Sequence, residues 1–161
     1  MTLYFAYGAN LDDRHMAATA PGATPIGRAT LENHRLVVAY GGFATVIASP
    51  GHTVPGLLWR LTPDDEAALD RFEGVAVGFY RKADCVVRGE RGPKKAMIYL
   101  ACDERPGAAE PAYLNQIRDA ALRLSFPPEY REYLSTLPRR SSLGELDRWT
   151  PPCQLPDPVD P

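Results

Sequence analysis

The chain has 161 residues, of which 45% are hydrophobic and 24% charged. This composition is typical of one globular domain and excludes a disordered or fibrous chain. Eighteen Lys and Arg residues against 20 Asp and Glu residues leave a formal net charge of -2. This balance lacks the basic excess that phosphate neutralisation requires, so we expect no nucleic-acid partner. No long apolar run and no basic leader are present, so we expect no membrane partner and a cytoplasmic location.

The first predicted elements are a strand, a tight turn and a short helix. Leu3–Ala6 is apolar and runs into Tyr7–Asn10, where Gly8 and Asn10 favour a turn. Acidic residues then precede His15–Ala18, which is the pattern of a short helix. The turn is therefore expected between a strand and a helix. Glycine-punctuated β-prone segments follow at Arg35–Tyr40, Phe43–Ala48 and Val54–Leu61.

A second helix is predicted from its start and stop signals. Thr62 suits the N-cap, Pro63 the first helical position, and three acidic residues follow in the first turn. Gly74 supplies the stop. Glu73 is therefore expected at the C-terminal end of this helix.

The remaining elements are a hairpin and two helices. The predicted strands and helices are Phe79–Arg88, Lys95–Ala101, Ala112–Ser125 and Pro128–Leu137. The order of elements shows no regular alternation of strands and helices, which argues against a doubly wound sheet. We therefore predict the α+β class, with helices flanking a small barrel-like or strongly curved mixed sheet.

The C-terminal segment differs from the rest of the chain. Its last eleven residues hold five prolines and no basic residue, a composition that favours an extended or disordered segment. We therefore divide the chain into a domain over residues 1–140 and a proline-rich tail over residues 141–161.

Most familiar catalytic motifs are absent. The sequence has no GxGxxG, GxxxxGK[ST], HExxH or GxSxG motif. The histidines and cysteines are scattered, with no CxxC pair, so we expect no metal site and free thiols. These residues are His15, His34, His52, Cys85, Cys102 and Cys153.

Two features carry candidate chemistry. A carboxylate such as Glu73 at the negative end of a helix dipole has a raised pKa, and such a group can take and return a proton near neutral pH. The alternative is a solvated residue before a glycine cap. Successive backbone N–H groups at the turn Tyr7–Asn10 form a concavity suited to a carboxylate or carbonyl oxygen. The alternative here is a plain connecting turn.

Several sequence blocks match the signature motifs of one protein family. Tyr4–Leu11 (YFAYGANL) is similar to its opening YFAYGSNL motif. The match continues, in the same order and at similar spacing, through Gly41–Val46, Ser49–Gly51, Val54–Trp59 and Leu69–Tyr80. Later tyrosines also match, so the chain resembles the gamma-glutamylcyclotransferase family and its wider AIG2-like superfamily from about residue 4 to about residue 134.

The resemblance implies a small mixed barrel flanked by helices and an enzyme without a cofactor. In this family the α-amine of a gamma-glutamyl compound attacks its own γ-carbonyl, which gives 5-oxoproline and releases an amine or amino acid. The glutamate that serves as general base and acid corresponds to Glu73. The substrate-binding positions correspond to Tyr7, Gly8, Ala9, Asn10, Tyr80 and Tyr113.

One position departs from the family pattern, because Ala9 stands where the signature has serine. If only the backbone N–H at this position acts, alanine serves equally well, and we favour this interpretation. Two alternatives to the cyclotransferase stay open: a related enzyme that removes a gamma-glutamyl group from a dedicated biosynthetic intermediate or crosslink, and a non-catalytic domain that binds a small acidic metabolite. We expect a monomer or a homodimer with a small-molecule gamma-glutamyl substrate as its partner.

Overall fold

Five strands close into a barrel in the computed structural model, which describes residues 1–140. The strands are β1 (Thr2–Ala6), β2 (Thr24–Val38), β3 (Ala44–Leu61), β4 (Tyr80–Gly89) and β5 (Gly92–Ala101). The helices are α1 (Asp13–Thr19), α2 (Pro63–Phe72), α3 (Pro111–Arg123) and α4 (Pro128–Ser135). Around the barrel the order is β1, β3, β2, β4, β5, and only the β1–β5 pairing that closes it is parallel. The predicted mixed barrel with flanking helices is confirmed.

The long hairpin of β2 and β3 differs from the prediction. The sequence indicated three short strands, whereas the structure has two strands of 15 and 18 residues. Ser49–Thr53 contains Pro and Gly and has the composition of a loop, yet pairing continues past it from His34↔Ala48 to Glu32↔Thr53 across a bulge. Within this bulge the Gly51 N–H donates to the Asn33 side chain. The bulge therefore accommodates the turn-forming residues without ending either strand.

Strand β1 ends in three consecutive buried residues. Its Phe5 and Ala6 are fully buried, and Tyr4 is nearly so. A Cβ at Gly56 on the neighbouring strand would lie 2.4 Å from both the Ala6 carbonyl oxygen and the Phe5 ring. Only glycine fits at this position, because the two backbones approach so closely. This close approach fixes the end of β1, from which the turn Tyr7–Asn10 departs.

Helix α2 begins and ends as its sequence predicts. Thr62 and Asp65 form a reciprocal capping box around Pro63, which occupies the first turn. At the other end Glu73 is the C-cap, and Gly74 follows in the left-handed conformation with φ of 63°. The helix therefore holds the Glu73 backbone at a defined point beside the barrel.

The predictions for the cysteines and the tail have different outcomes. Cys85 is a free, partly buried thiol, as expected. Cys102 is disulfide-bonded, so the prediction of a free thiol is wrong there; an odd number of cysteines excludes only complete pairing. Cys153 and the predicted tail over residues 141–161 lie outside the described residues. Within residues 1–140, no helix has the length and apolarity needed to cross a membrane.

Candidate active site

All seven residues predicted for the site line one cavity of about 370 Å³ at the end of the barrel. They come from four parts of the chain: the turn after β1, the end of α2, the start of β4 and helix α3. They are Tyr7, Gly8, Ala9, Asn10, Glu73, Tyr80 and Tyr113. The cavity therefore brings together the turn and the carboxylate that the sequence marked separately.

The Glu73 carboxylate has a strongly perturbed proton affinity. Glu73 is partly buried, and burial raises the pKa of its carboxyl group from an ordinary 4.5 to about 7. The predicted direction of this shift is confirmed, although desolvation and not the helix dipole is its principal cause. A hydrogen bond donated by Asn10 Nδ2 over 3.1 Å acts in the opposite direction and lowers the pKa.

The Asn10 side chain connects the turn to the carboxylate. Asn10 belongs to a short 3-10 turn, Ala9–Leu11, and is 3% exposed. Its Nδ2 atom donates both to the Tyr4 hydroxyl at 2.9 Å and to Glu73. Its backbone carbonyl accepts from the Trp59 indole N–H at 3.0 Å. The sequence pointed to the backbone of this residue, whereas the structure also gives its side chain a direct contact with the carboxylate.

The three tyrosines predicted for the site all bond to backbone atoms of the barrel. Tyr7 donates from its hydroxyl to the Tyr99 carbonyl. Tyr80 donates to the Ala44 carbonyl at 2.7 Å, while the Ala44 N–H donates to the Tyr113 hydroxyl at 3.0 Å. Burial raises the pKa of each of these phenols. The hydroxyls therefore stay protonated at neutral pH and serve as neutral polar groups.

Sequence reasoning missed several residues of the cavity wall. Tyr4 stands inside the opening motif, and alternation along β1 could have placed it on one face with Ala6. Tyr99 matched a family tyrosine position but was not placed in the site; its hydroxyl donates to Asp70 on α2. Four others lie inside blocks that match the family but were not placed in the site: Phe43, Ala44, Phe72 and Phe79. No sequence signal placed His15 or Gln116 in the cavity.

Within residues 1–140, no group of three or more His, Cys, Asp or Glu side chains is placed to hold a metal ion. Glu73 supplies the carboxylate of the cavity wall, and His15 adds an imidazole to the tyrosines. Burial lowers the pKa of His15. The cavity is therefore lined mainly by aromatic rings and neutral polar groups around one carboxylate.

Comparison with known proteins identifies relatives of this chain. Residues 4–117 match the family model described as Gamma-glutamyl cyclotransferase, AIG2-like. Proteins named Gamma-glutamylcyclotransferase from Mus musculus and Homo sapiens are 29% and 28% identical, each covering 89% of this chain and 82% of the relative. A solved structure named Gamma-glutamyl cyclotransferase has a TM-score of 0.81 at 26% identity, covering 91% of this chain and 94% of that chain. Since the family model spans well over half of the sequence, the chain belongs to the Gamma-glutamyl cyclotransferase, AIG2-like family.

Proposed function

We propose that this protein is a gamma-glutamylcyclotransferase, which converts a gamma-glutamyl amino acid or gamma-glutamyl amine to 5-oxoproline and the free amino acid or amine. The observation that carries the proposal is Glu73, which lines the cavity and has a pKa of about 7. A group that titrates near neutral pH can accept a proton in one step and return it in the next. Membership of the family supports the same reaction.

The first step of the proposed reaction uses Glu73 as a base. Its ionised carboxylate removes a proton from the α-ammonium group of the substrate. The lone pair of that nitrogen then forms a bond to the γ-carbon and closes a five-membered ring, while the carbonyl electron pair moves onto the γ-oxygen. Because nucleophile and electrophile belong to one molecule, the protein has only to hold the chain in a folded conformation.

The second step uses Glu73 as an acid. The electron pair on the γ-oxygen re-forms the carbonyl, and the bond from the γ-carbon to the leaving nitrogen breaks. Glu73 returns its proton to that nitrogen. The ring nitrogen still carries one proton more than a lactam, and this proton passes through the Glu73 carboxylate to the released amine, which leaves as its ammonium form. The carboxylate is then ready for another cycle. We assign the backbone N–H groups of Gly8, Ala9 and Asn10 to the substrate oxygens, where they stabilise developing negative charge. Tyr7, Tyr80 and Tyr113 surround the glutamyl group.

The direct test is turnover by the wild type and by Glu73→Gln. Each protein is incubated with gamma-glutamyl-alanine, other gamma-glutamyl dipeptides and gamma-glutamyl amines, and 5-oxoproline and the released amine are measured by mass spectrometry. We expect the wild type to form both products. Glu73→Gln keeps the shape of the side chain but cannot move the proton, so its turnover should fall by about 10²- to 10⁴-fold.

A matched control is Asp64→Asn, which neutralises an exposed acid in the first turn of the same helix. This variant should keep wild-type turnover. Equal turnover by Glu73→Gln and wild type would refute the assigned role of Glu73. A folded wild type that forms no 5-oxoproline from any compound of the panel would refute the proposed function itself.

A further inference from the structure

One backbone residue sets the hydrogen-bond direction of two hydroxyls in the cavity. Ala44, the first residue of β3, donates its N–H to Tyr113 Oη at 3.0 Å and accepts at its carbonyl from Tyr80 Oη at 2.7 Å. An N–H can only donate and a carbonyl can only accept. The direction of both hydrogen bonds is therefore fixed, unlike that of a bond between two hydroxyls.

The two hydroxyls consequently present opposite polarity to a ligand. A hydroxyl has one proton to donate and two lone pairs that accept. Tyr80 uses its proton on the Ala44 carbonyl, so it faces a ligand as an acceptor. Tyr113 has received the Ala44 N–H, so its own proton is available to a ligand. Within residues 1–140, neither hydroxyl makes another hydrogen bond.

The Tyr113 hydroxyl lies beside the turn that follows β1. A Cβ built on Gly8 would lie 3.4 Å from Tyr113 Oη, so the hydroxyl adjoins the turn after β1. No side chain caps the start of the 3-10 turn that begins at Ala9. The donating hydroxyl therefore adjoins a turn whose first N–H groups are not covered by a side-chain acceptor, a combination suited to a carboxylate.

An α-amino acid head matches this pair of hydroxyls. Its ammonium group donates, its carboxylate accepts, and both are attached to one carbon. The N–H and carbonyl of Ala44 are likewise attached to one carbon, and each bonds directly to one of the two hydroxyls. The Ala44 carbonyl therefore leaves Tyr80 as an acceptor for the ammonium group, and the Ala44 N–H leaves Tyr113 as a donor to the carboxylate.

Building on the function proposed above, we infer that Tyr80 accepts a hydrogen bond from the α-amino group of the glutamyl substrate and that Tyr113 donates one to its α-carboxylate. Once Glu73 has taken one ammonium proton, Tyr80 holds a remaining N–H of the amine and so orients the nitrogen lone pair. The two tyrosines together select substrates in which both α-groups of the glutamyl unit are free.

The test uses two analogues, each lacking one α-group. Glutaric acid mono-N-propylamide keeps the carboxylate and lacks the amine, whereas N-propyl-4-aminobutanamide keeps the amine and lacks the carboxylate. Binding of each analogue is measured by calorimetry to the wild type, Tyr80→Phe and Tyr113→Phe. Tyr113→Phe should weaken binding of the first analogue by about 10- to 100-fold and change the second less than about twofold. Tyr80→Phe should show the reverse pattern.

The matched control is Tyr133→Phe, which removes a hydroxyl that also donates to a backbone carbonyl, that of Leu36, away from the cavity wall. It should leave both affinities unchanged. If each site variant weakens both analogues equally, if the pattern is reversed, or if neither affinity changes, the assignment is wrong. The first analogue lacks the nucleophilic amine and cannot cyclise, so calorimetry measures its binding without turnover. A failure of this assignment is therefore distinguishable from a failure of the proposed function, which the release of 5-oxoproline tests separately.

Discussion

The two ends of helix α2 carry carboxylates with opposite properties. Asp65, in the first turn, accepts hydrogen bonds from the Thr62 backbone and hydroxyl and from the Gly22 N–H, and these bonds hold its pKa below the ordinary 3.8. Glu73, at the C-cap, accepts from Asn10, and burial raises its pKa to about 7. One short helix therefore has a structural acid that is ionised at neutral pH at one end and a proton-exchanging acid at the other.

The difference shows that solvation and the number of hydrogen-bond donors decide whether a carboxylate is ionised at neutral pH. Several donors around Asp65 replace lost water, so ionisation is favoured despite the low exposure of this residue. At Glu73 one amide donor replaces only part of the water, so both protonation states are populated near neutral pH. Substitutions that change the hydrogen-bond donors or the charge at either end of α2 test this difference.

The largest expected effect is the loss of stability in Asp65→Ala. The substitution leaves the N–H groups of Thr62 and Gly22 without their acceptor, so we expect the free energy of unfolding to fall by about 3 kcal/mol at pH 7. Because the pKa of Asp65 is lowered in the folded protein, its stabilising contribution is present above the ordinary pKa and is lost as the pH falls through the folded value. Urea unfolding at pH 7 and pH 3, with Asp64→Ala as the exposed control, measures this; an equal loss at both pH values would contradict it.

Glu73→Gln should change stability in the opposite direction and raise the free energy of unfolding. Because the pKa of Glu73 is raised from 4.5 to about 7, the folded protein binds an extra proton in this window, and its stability falls as the pH rises. At pH 8 the variant should be more stable than the wild type by about 2 kcal/mol, less than the full shift would give because the side chain is only partly buried. Thermal unfolding at pH 8 and pH 4.5 checks this. A difference that does not shrink at pH 4.5 would argue against proton linkage at Glu73.

A smaller effect is expected from Asn10→Ala, which removes the donor to Glu73. Without this hydrogen bond the pKa of Glu73 should rise further, because the bond favours the ionised form. The acidic limb of the kcat/KM profile should move to higher pH, so that activity at pH 7 falls several-fold and partly recovers at pH 9. The profile is measured from pH 5 to pH 9.5. A uniform loss at every pH would show that Asn10 contributes to the geometry of the site and not to the pKa.

The smallest effect is expected from Ala9→Ser, which restores the family residue beside Asn10. If this position acts through its backbone N–H alone, kcat/KM should stay within about twofold of the wild type. Steady-state kinetics with the preferred substrate of the wild type measures it. A change of tenfold or more would show that a hydroxyl here contacts the substrate.

Much of the fold was predictable because its signals are local. The start of α2 at Thr62 and Pro63 and its stop before Gly74 are set by neighbouring residues, and both agree with the structure. The full lengths of β2 and β3 were not predictable, since pairing through Ser49–Thr53 depends on Asn33 and Glu32, which lie far away in sequence.

In the candidate site, too, the contacts between residues distant in sequence were not predictable. The sequence motifs pointed to Glu73 and to the turn, and the structure places both in one cavity. The contact of Asn10 Nδ2 with Glu73 spans 63 positions in sequence, and the hydrogen bonds of Ala44 to Tyr80 and Tyr113 span 36 and 69. These contacts join elements that lie far apart in the sequence, so no local pattern could have revealed them.

The parallel pairing of β1 with β5 also has a consequence for how the molecule folds. Tyr4 lies opposite Met97 of β5, while all five residues of β1 pair with the far end of β3, with Thr2 opposite Leu61. Pairings of such large sequence separation form slowly, because closing long loops costs entropy before the contacts are gained. Because β5 follows β1 at a distance in the chain, the barrel cannot close before residue 97 has been synthesised. The turn that holds Asn10 follows β1 directly, so the contact of Asn10 with Glu73 likewise depends on bringing distant parts of the chain together.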